Sequence, residues 1–234
     1  MADPGAISWF RRPTPTRDDP YAGGTLNVAF QLLDRAVVAG ASDKTLLSDD
    51  SGELSHAALL EMAAAFGGVL RGFGVVPGDR VVVELAAGAE AVVALLAVAR
   101  IGAAGVTIPE GLAETQVVRI VGATRPRVVV TADDAAMAGV LAQCAHRPAA
   151  VVTTGDQAPG SRSVTWEVVI RAGRTDPAGA VELGAGSPSV LIWPADPTGS
   201  EVRLRTTLEQ AAIARELADA VPLTTSGLLT ALFD

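Results

Sequence analysis

Short valine-rich runs alternate with longer apolar stretches of helical periodicity along most of this chain, and this alternation restricts its fold more than any other feature. Runs with the length of strands buried on both faces occur at residues 80–85, 106–108, 128–131, 151–153 and 189–193. Helical patterns occur at residues 89–100, 112–121 and 135–144. Because alternating strands and helices form right-handed βαβ units, we expect a three-layer α/β fold with a mainly parallel sheet and helices on both faces.

The stretch from Ala89 to Arg100 consists almost entirely of Ala, Val and Leu and predicts a central helix. Glu90 stands at the positive end of the helix dipole, Arg100 stands at the negative end, and Gly102 follows the last turn. A helix that is apolar all round has no polar face to present to water. We therefore expect this helix to be buried on most sides.

The length of 234 residues is within reach of a single domain, and local composition divides the chain into four regions. Residues 1–24 are rich in proline, glycine and charge and predict an extended N-terminal arm. Residues 25–153 are expected to form the α/β core. Residues 154–187 contain repeated Gly and Pro turn signals and predict a long linker, and residues 188–234 are expected to hold the last strand, a loop and C-terminal helices.

Charge and the scarcity of cysteine and histidine exclude several classes of function. With 18 basic and 26 acidic residues, the formal charge is −8, so we expect no binding to nucleic acid or to an anionic membrane surface. Cys144 is the single cysteine, which excludes an intramolecular disulfide and favours a cytoplasmic location. His56 and His146 are interpreted as surface or helix-end residues, because two histidines and one cysteine are too few for a His/Cys metal site. We expect no bound metal.

Three local patterns are candidates for a binding or catalytic site. Two of them are explained better as turns than as functional sites. Gly184-Ala185-Gly186 lacks the third glycine of a dinucleotide-binding fingerprint and precedes a strand, whereas the fingerprint follows one. The pairs Asp49-Asp50 and Asp133-Asp134 occur at turns, where aspartate bonds its own backbone. The loop 194–201, with the sequence PADPTGSE, follows a buried strand and is the segment placed to bind phosphate.

Five segments are more specific to a protein family than the local patterns above. They lie at residues 23–27 (GGTLN), 33–35 (LDR), 74–81 (GVVPGDRV), 90–103 (EAVVALLAVARIGA) and 128–133 (VVVTAD). In this order they resemble the N-terminal part of acetyl-CoA and propionyl-CoA synthetases, members of the adenylate-forming (AMP-binding) acyl-CoA synthetase superfamily. The resemblance covers residues 9–207 and corresponds to about the first third of a family enzyme. It implies the N-terminal subdomain of the adenylate-forming fold.

The resemblance also places a phosphate loop at the segment after the last strand. In the family this loop is rich in Ser, Thr and Gly, ends in Lys-Gly, and binds the ATP phosphates through backbone N–H groups, hydroxyls and the lysine. The aligned loop keeps Thr198 and Gly199, but Pro194 and Pro197 replace hydroxyl residues and Asp196 replaces a glycine. Proline brings no N–H donor, and the aspartate carboxylate would repel phosphate. We therefore expect a degenerate phosphate loop.

The family lysine aligns with Val202, so Arg203 is the nearest substitute, and the remaining candidate site consists of Thr198, Gly199 and Arg203. Loss of two charge-assisted hydrogen bonds at about 1.5–3 kcal/mol each would weaken ATP binding by roughly 3–6 kcal/mol, a factor of some hundreds to tens of thousands. We expect no cofactor, and ATP, AMP or coenzyme A would bind only if these degenerate sites still function.

Other family residues are also missing. Acetyl-CoA synthetases carry an Arg and a Lys near the nucleotide end of coenzyme A, where residues 134–139 here read DAAMAG. The family's adenine-binding and ribose-binding motifs and its catalytic lysine belong to positions after Asp234, and Lys44, the only lysine, matches a structural segment. The resemblance thus implies a truncated pseudoenzyme that has no catalytic residue and acts as a binding or regulatory module.

Three alternatives stay open at this point. The chain could be one piece of a split acetyl- or propionyl-CoA ligase, an acid-thiol ligase completed by another chain. It could have a different small-ligand function on the same scaffold, or it could be a gene fragment without function. The apolar run 223–233 adds a prediction about partners, because it could either fold back on its own chain or cross to a neighbour. We expect a homodimer or a heteromeric partner that contacts Leu228, Leu229, Leu232 and Phe233.

Overall fold

The computed structural model describes residues 26–49, 52–108, 111–155, 163–183, 188–192, 203–206, 213–214, 217 and 222–233. The helices are a π-helical turn (Phe30–Asp34) that continues as α1 (Arg35–Val38), then α2 (His56–Gly72), α3 (Ala89–Arg100), α4 (Glu114–Thr124), α5 (Asp134–Gln143), α6 (Trp166–Gly173) and α7 (Thr225–Phe233). The strands are β1 (Thr45–Asp49), β2 (Gly52–Ser55), β3 (Arg80–Glu84), β4 (Ala104–Thr107), β5 (Val128–Thr131), β6 (Ala150–Thr153), β7 (Ser163–Thr165), β8 (Pro188–Ile192) and β9 (Arg203–Thr206).

Seven of these strands form one sheet in the order β7-β6-β5-β3-β4-β8-β9. All neighbouring pairs are parallel except β8 and β9, which are antiparallel. Strands β1 and β2 form a separate antiparallel hairpin, and Ser55 at its end caps α2 by accepting a hydrogen bond from the N–H of Ala58 at 3.2 Å. The predicted α/β fold with a mainly parallel sheet is confirmed.

The helices form one layer on each face of the sheet. On the first face α3 packs against α2, and α2 packs against α6, in a core that includes Phe66, Leu96 and Trp166. On the second face α4 and α5 contribute Ile120 and Met137 to a smaller apolar core. Every residue of α3 from Ala91 to Arg100 is buried, which confirms that this helix lies in the interior. None of the helices in the described ranges is long and apolar enough to cross a membrane.

The region predicted as a linker contains regular structure in its middle. Residues 163–165 form the edge strand β7, and α6 follows immediately. Trp166 contacts Phe66 with ring centroids 4.9 Å apart, and Gly173 lies so close to α2 that a Cβ there would come within 2.0 Å of the carbonyl oxygen of Ala65. The amphipathic pattern at residues 166–170 indicates this short helix, and packing on α2 stabilises it.

The C-terminal run folds back on its own chain, one of the two outcomes predicted for it. The backbone of Leu223 pairs with β1, where its N–H donates to the carbonyl of Leu46 and its carbonyl accepts from the N–H of Ser48, both at 2.8 Å. Helix α7 packs against α3 and β1, and Leu228 and Leu232 are fully buried in the main core. The sequence prediction did not include β2, β7 or β9, whereas α7 lies in the region 188–234, where C-terminal helices are expected. Thr207 and Gln210, whose spacing is typical of a capping box at a helix N-terminus, lie outside the described residues.

Candidate functional site

The connections that leave the central strands diverge at the carboxyl edge of the sheet. The chain leaves β3 toward α3 on the first face, whereas it leaves the two flanking strands, β4 and β5, toward α4 and α5 on the second face. Diverging connections between neighbouring parallel strands open a crevice at their carboxyl ends, which is where open α/β sheets bind ligands. The ends of β3, β4 and β5 therefore define the candidate site.

Two polar side chains meet at this edge. Glu84 at the end of β3 is in register with Thr131 at the end of β5, and the Thr131 hydroxyl donates to Oε2 of Glu84 at 2.9 Å. Thr131 is fully buried, and its Oγ1 also accepts a hydrogen bond from the N–H of Asp133 at 3.1 Å. These contacts fix the Glu84 carboxyl group at the mouth of the crevice.

The electrostatic setting of this carboxyl group is unusual for a glutamate. Burial raises the pKa of Glu84 above its ordinary 4.5, the hydrogen bond from Thr131 lowers it, and the negative charge of Asp133 raises it again. A carboxyl group whose pKa is raised by burial and by a like charge, and which lies in a crevice, is typical of a ligand-binding or catalytic position.

A pocket of about 190 Å³ opens beside Glu84, between the ends of β3 and β4 and the start of α4. Its other walls are formed by residues that follow the two strands and by the first turns of α4: Leu85, Ala86, Ile108, Gly111, Leu112 and Val117. Gly111 has a φ of +76°, a conformation that a residue with a side chain adopts at a cost, so this turn favours glycine. The pocket thus combines apolar side chains with polar surface, and the Glu84 carboxylate lies at its rim.

The N-terminus of α5, next to this edge, is occupied by acidic side chains. Asp133 caps the helix by accepting a hydrogen bond at Oδ1 from the N–H of Ala136 at 2.9 Å, and the Asp134 carboxylate accepts one from the hydroxyl of Ser163. Asp133 therefore already satisfies a donor that a phosphate group could use. This arrangement agrees with the absence of the family's Arg and Lys from residues 134–139.

The residues predicted from sequence as a phosphate site are only partly described. Thr198 and Gly199 lie outside the described residues, as do Pro194, Asp196, Pro197 and Val202. Arg203 is the first residue of β9, and its backbone is in register with Ile192 at the end of β8. The loop between them therefore begins and ends at the carboxyl end of β8, the same edge of the sheet as Glu84.

The two histidines and the lysine lie outside this crevice. His56 is the first residue of α2, in agreement with its interpretation as a helix-end residue, and it is buried. Its Nδ1 lies 3.1 Å from the carbonyl oxygen of Leu32, and its Nε2 has no hydrogen-bond partner among the described residues. His146 is half-buried beside the carbonyl of Pro126, and Lys44 is exposed just before β1.

Sequence reasoning did not select Glu84 as a site residue. The available signal was a carboxylate that ends a run of three valines and so marks the exit of a buried strand. Without knowledge of which strands are neighbours, its pairing with Thr131 could not be deduced.

Solved structures with this architecture are CoA ligases and similar proteins. The fold matches that of an anthranilate CoA ligase in complex with anthranoyl-AMP with a TM-score of 0.69 and 18% identity, over 79% of this chain and 34% of the ligase. It also matches VinN with a TM-score of 0.65 and 22% identity, over 80% of this chain and 47% of that one. The described part of the chain therefore shares its fold with these proteins.

The sequence identifies the family directly. The family model described as AMP-binding enzyme matches residues 33–200, and the chain belongs to this family. Among curated proteins it is similar to the acetyl-coenzyme A synthetase of Streptomyces coelicolor, with 31% identity over 70% of this chain and 26% of that protein. The acetyl-coenzyme A synthetase of Xanthomonas oryzae pv. oryzae is 31% identical over 76% of this chain and 29% of that protein. The chain thus spans about a quarter to a third of these relatives, and the resemblance to acyl-CoA synthetases is confirmed.

Proposed function

We propose that this member of the AMP-binding family does not itself form an acyl-adenylate and acts as a binding or regulatory module. The observation that carries the proposal is the sequence of the phosphate loop, in which Asp196 and Pro197 stand where the family uses glycine and a hydroxyl residue, and Val202 stands where it uses lysine. Proline removes an N–H donor, aspartate adds a repulsive charge, and valine removes the cation that would bind the phosphates.

The described edge of the sheet supports the same proposal. Glu84, Asp133 and Asp134 place negative charge at the ends of β3 and β5, and Asp133 already caps α5. The phosphates of ATP or coenzyme A would approach this edge against that charge. At the same time the described residues form an apolar core on each face of the sheet, so a module with this fold can be stable without binding ATP.

The second candidate is one part of a split acid-thiol ligase completed by another chain. The observation that favours it is that the similar curated proteins are named acetyl-coenzyme A synthetases. On this reading the altered loop would be compensated by cations from the second chain. The test mixes this chain with the proposed second chain. If the mixture binds ATP or coenzyme A tightly and neither chain does so alone, the result would favour the ligase over the binding module.

The test of the main proposal is calorimetric titration of the chain with ATP, AMP and coenzyme A, accompanied by thermal-shift measurements. We expect no saturable binding of ATP to the wild-type chain. A variant that restores the family residues (Asp196→Gly, Pro197→Ser and Val202→Lys) is expected to gain about a hundredfold or more in affinity, because it regains about two charge-assisted hydrogen bonds. Tight binding of ATP to the wild-type chain would contradict the proposal.

Two further proposals concern the setting of the protein. We propose a cytoplasmic location, supported by the single cysteine, Cys144, which is buried and free. We also propose a homodimer or a heteromeric partner at the C-terminal segment. Because Leu228 and Leu232 are already buried in their own chain, such a partner would contact the residues of α7 that are not, such as the half-buried Leu229.

A further inference from the structure

We propose that the pocket beside Glu84 binds a small organic ammonium ion, with the cationic nitrogen on the Glu84 carboxylate and the apolar part against Leu112 and Val117. This inference deepens the proposed function, on which it rests, because it names the ligand class for the binding module.

The pocket has the size and lining for a small, partly apolar molecule. Its volume of about 190 Å³ corresponds to roughly six water molecules at ~30 Å³ each. The side chains of Leu85, Ile108, Leu112 and Val117 offer no hydrogen-bonding groups, so they suit a short hydrocarbon chain. A ligand seated there gains from the removal of apolar surface from water.

The Glu84 carboxylate at the rim of the pocket carries one negative charge, and its oxygens have lone pairs that can accept further hydrogen bonds. Glu84 is the one charged side chain among the described residues that line the pocket, and residues 109 and 110 lie outside the described ranges. The hydroxyl of Thr131 occupies one lone pair of Oε2, whereas an ionised carboxylate offers about four lone-pair sites. The carboxylate is therefore held in place and can still accept hydrogen bonds from a ligand.

The surrounding charge selects a cation over an anion. Asp133, which follows the neighbouring strand β5, adds a second negative charge on this side of Glu84, while the described residues of the β4 connection and α4 that line the pocket carry no charge. A half-buried carboxylate is costly when ionised, and a bound ammonium group offsets that cost by charge pairing. A carboxylate or phosphate ligand would instead meet two like charges.

Ligand-observed NMR titration with n-butylammonium, against butyrate as a probe of matching carbon chain and opposite charge, tests this inference. At mildly alkaline pH we expect saturable binding of butylammonium in the millimolar range and none of butyrate. Glu84→Gln keeps the size of the side chain and removes its charge, so it should weaken binding by about ten- to one-hundredfold. Glu167→Gln removes the same charge from the exposed face of α6 and should leave binding unchanged.

A second measurement on the wild-type chain does not depend on the folding of any variant. Butylammonium stays protonated across the acidic and neutral range, since alkylamines like lysine have a pKa of about 10.4. Because the pKa of Glu84 is raised by burial, binding should already weaken while the pH is still above 4.5. Equal binding of both probes, affinity unaffected by Glu84→Gln in a folded variant, or binding independent of pH would each overturn the inference. Failure of the proposed function would appear separately, as tight binding of ATP.

Discussion

Arg100 and Asp34 form a bidentate ion pair in the interior of the protein. Nη1 of Arg100 lies 2.6 Å from Oδ2 of Asp34, and Nη2 lies 2.8 Å from Oδ1. Both side chains have no exposed surface. The Nε of Arg100 donates to the carbonyl of Ala178 at 2.7 Å, and Asn27 donates to the carbonyl of Ala99 at 2.8 Å. The end of α3 is thereby joined to the first helical segment and to the chain that follows α6.

Asp34→Ala is expected to reduce the free energy of unfolding by about 3–5 kcal/mol, because it leaves the charge of Arg100 buried without its partner. Urea unfolding of the variant and the wild-type chain measures this loss. The matched control is Glu61→Ala, which breaks an ion pair with Arg174 whose two side chains are each 57% exposed, and should cost less than about 1 kcal/mol. Equal effects of the two substitutions would mean that the buried pair has no special role.

Leu96→Ala is expected to cost about 2–5 kcal/mol, because Leu96 has no exposed surface on the central helix α3 and its truncation leaves a cavity. Val168→Ala on α6 serves as the control, since Val168 is 51% exposed and its truncation should cost under about 0.5 kcal/mol. Thermal or urea unfolding distinguishes the two. A loss below about 0.5 kcal/mol for Leu96→Ala would show that α3 is not part of the core.

The sequence was sufficient to predict the strands and helices that lie in the interior of the fold. Because the middle residues of β3, β5 and α3 are buried, they are apolar, and β5 and α3 begin and end where the sequence predicts. The short elements β2 and β9 have mixed composition, since they lie at edges or in a hairpin, and their pairing decides their conformation. The candidate site depends on which strands are neighbours, and the placing of Glu84 beside Thr131 follows from that order alone.

The stability of the fold is expected to fall as the pH drops below 6.5, because of His56. Burial lowers the pKa of His56 below its ordinary 6.5; the hydrogen bond to Leu32 opposes this, and the charge of Lys44 adds to it. Near that pH the unfolded chain takes up a proton that the folded chain does not, so protonation favours unfolding as the pH decreases. Urea unfolding at several pH values measures the effect.

His56→Asn should remove this part of the pH dependence, because the asparagine amide can donate to the same carbonyl and does not titrate. His146→Asn is the control, since His146 is only half-buried. An unchanged pH dependence in folded His56→Asn would assign the effect to other groups.

Leu232→Ala is expected to cost about 2–5 kcal/mol, because Leu232 of α7 is fully buried in the main core. Thr230→Ala on the exposed side of the same helix should change the free energy of unfolding by less than about 0.5 kcal/mol. If both variants are as stable as the wild-type chain, α7 does not pack on the core in solution.

The proposed self-association is checked by light scattering over a range of protein concentrations. We expect a dimer whose fraction increases with concentration, because association is a mass-action equilibrium. Leu229→Ser changes a half-buried residue of α7 and should shift this equilibrium toward the monomer. A monodisperse monomer at high micromolar concentration would exclude the homodimer and leave only a heteromeric partner.

Pyrophosphate exchange with acetate or propionate and ATP is the most direct test of the central claim, that this member of the AMP-binding family does not form an acyl-adenylate. We predict no exchange above background for the purified chain, because the phosphate loop has Asp196, Pro197 and Val202 in place of the family's phosphate-binding residues. Exchange above background that Thr198→Ala abolishes would contradict the account, because it would show that the loop still binds ATP in a productive position.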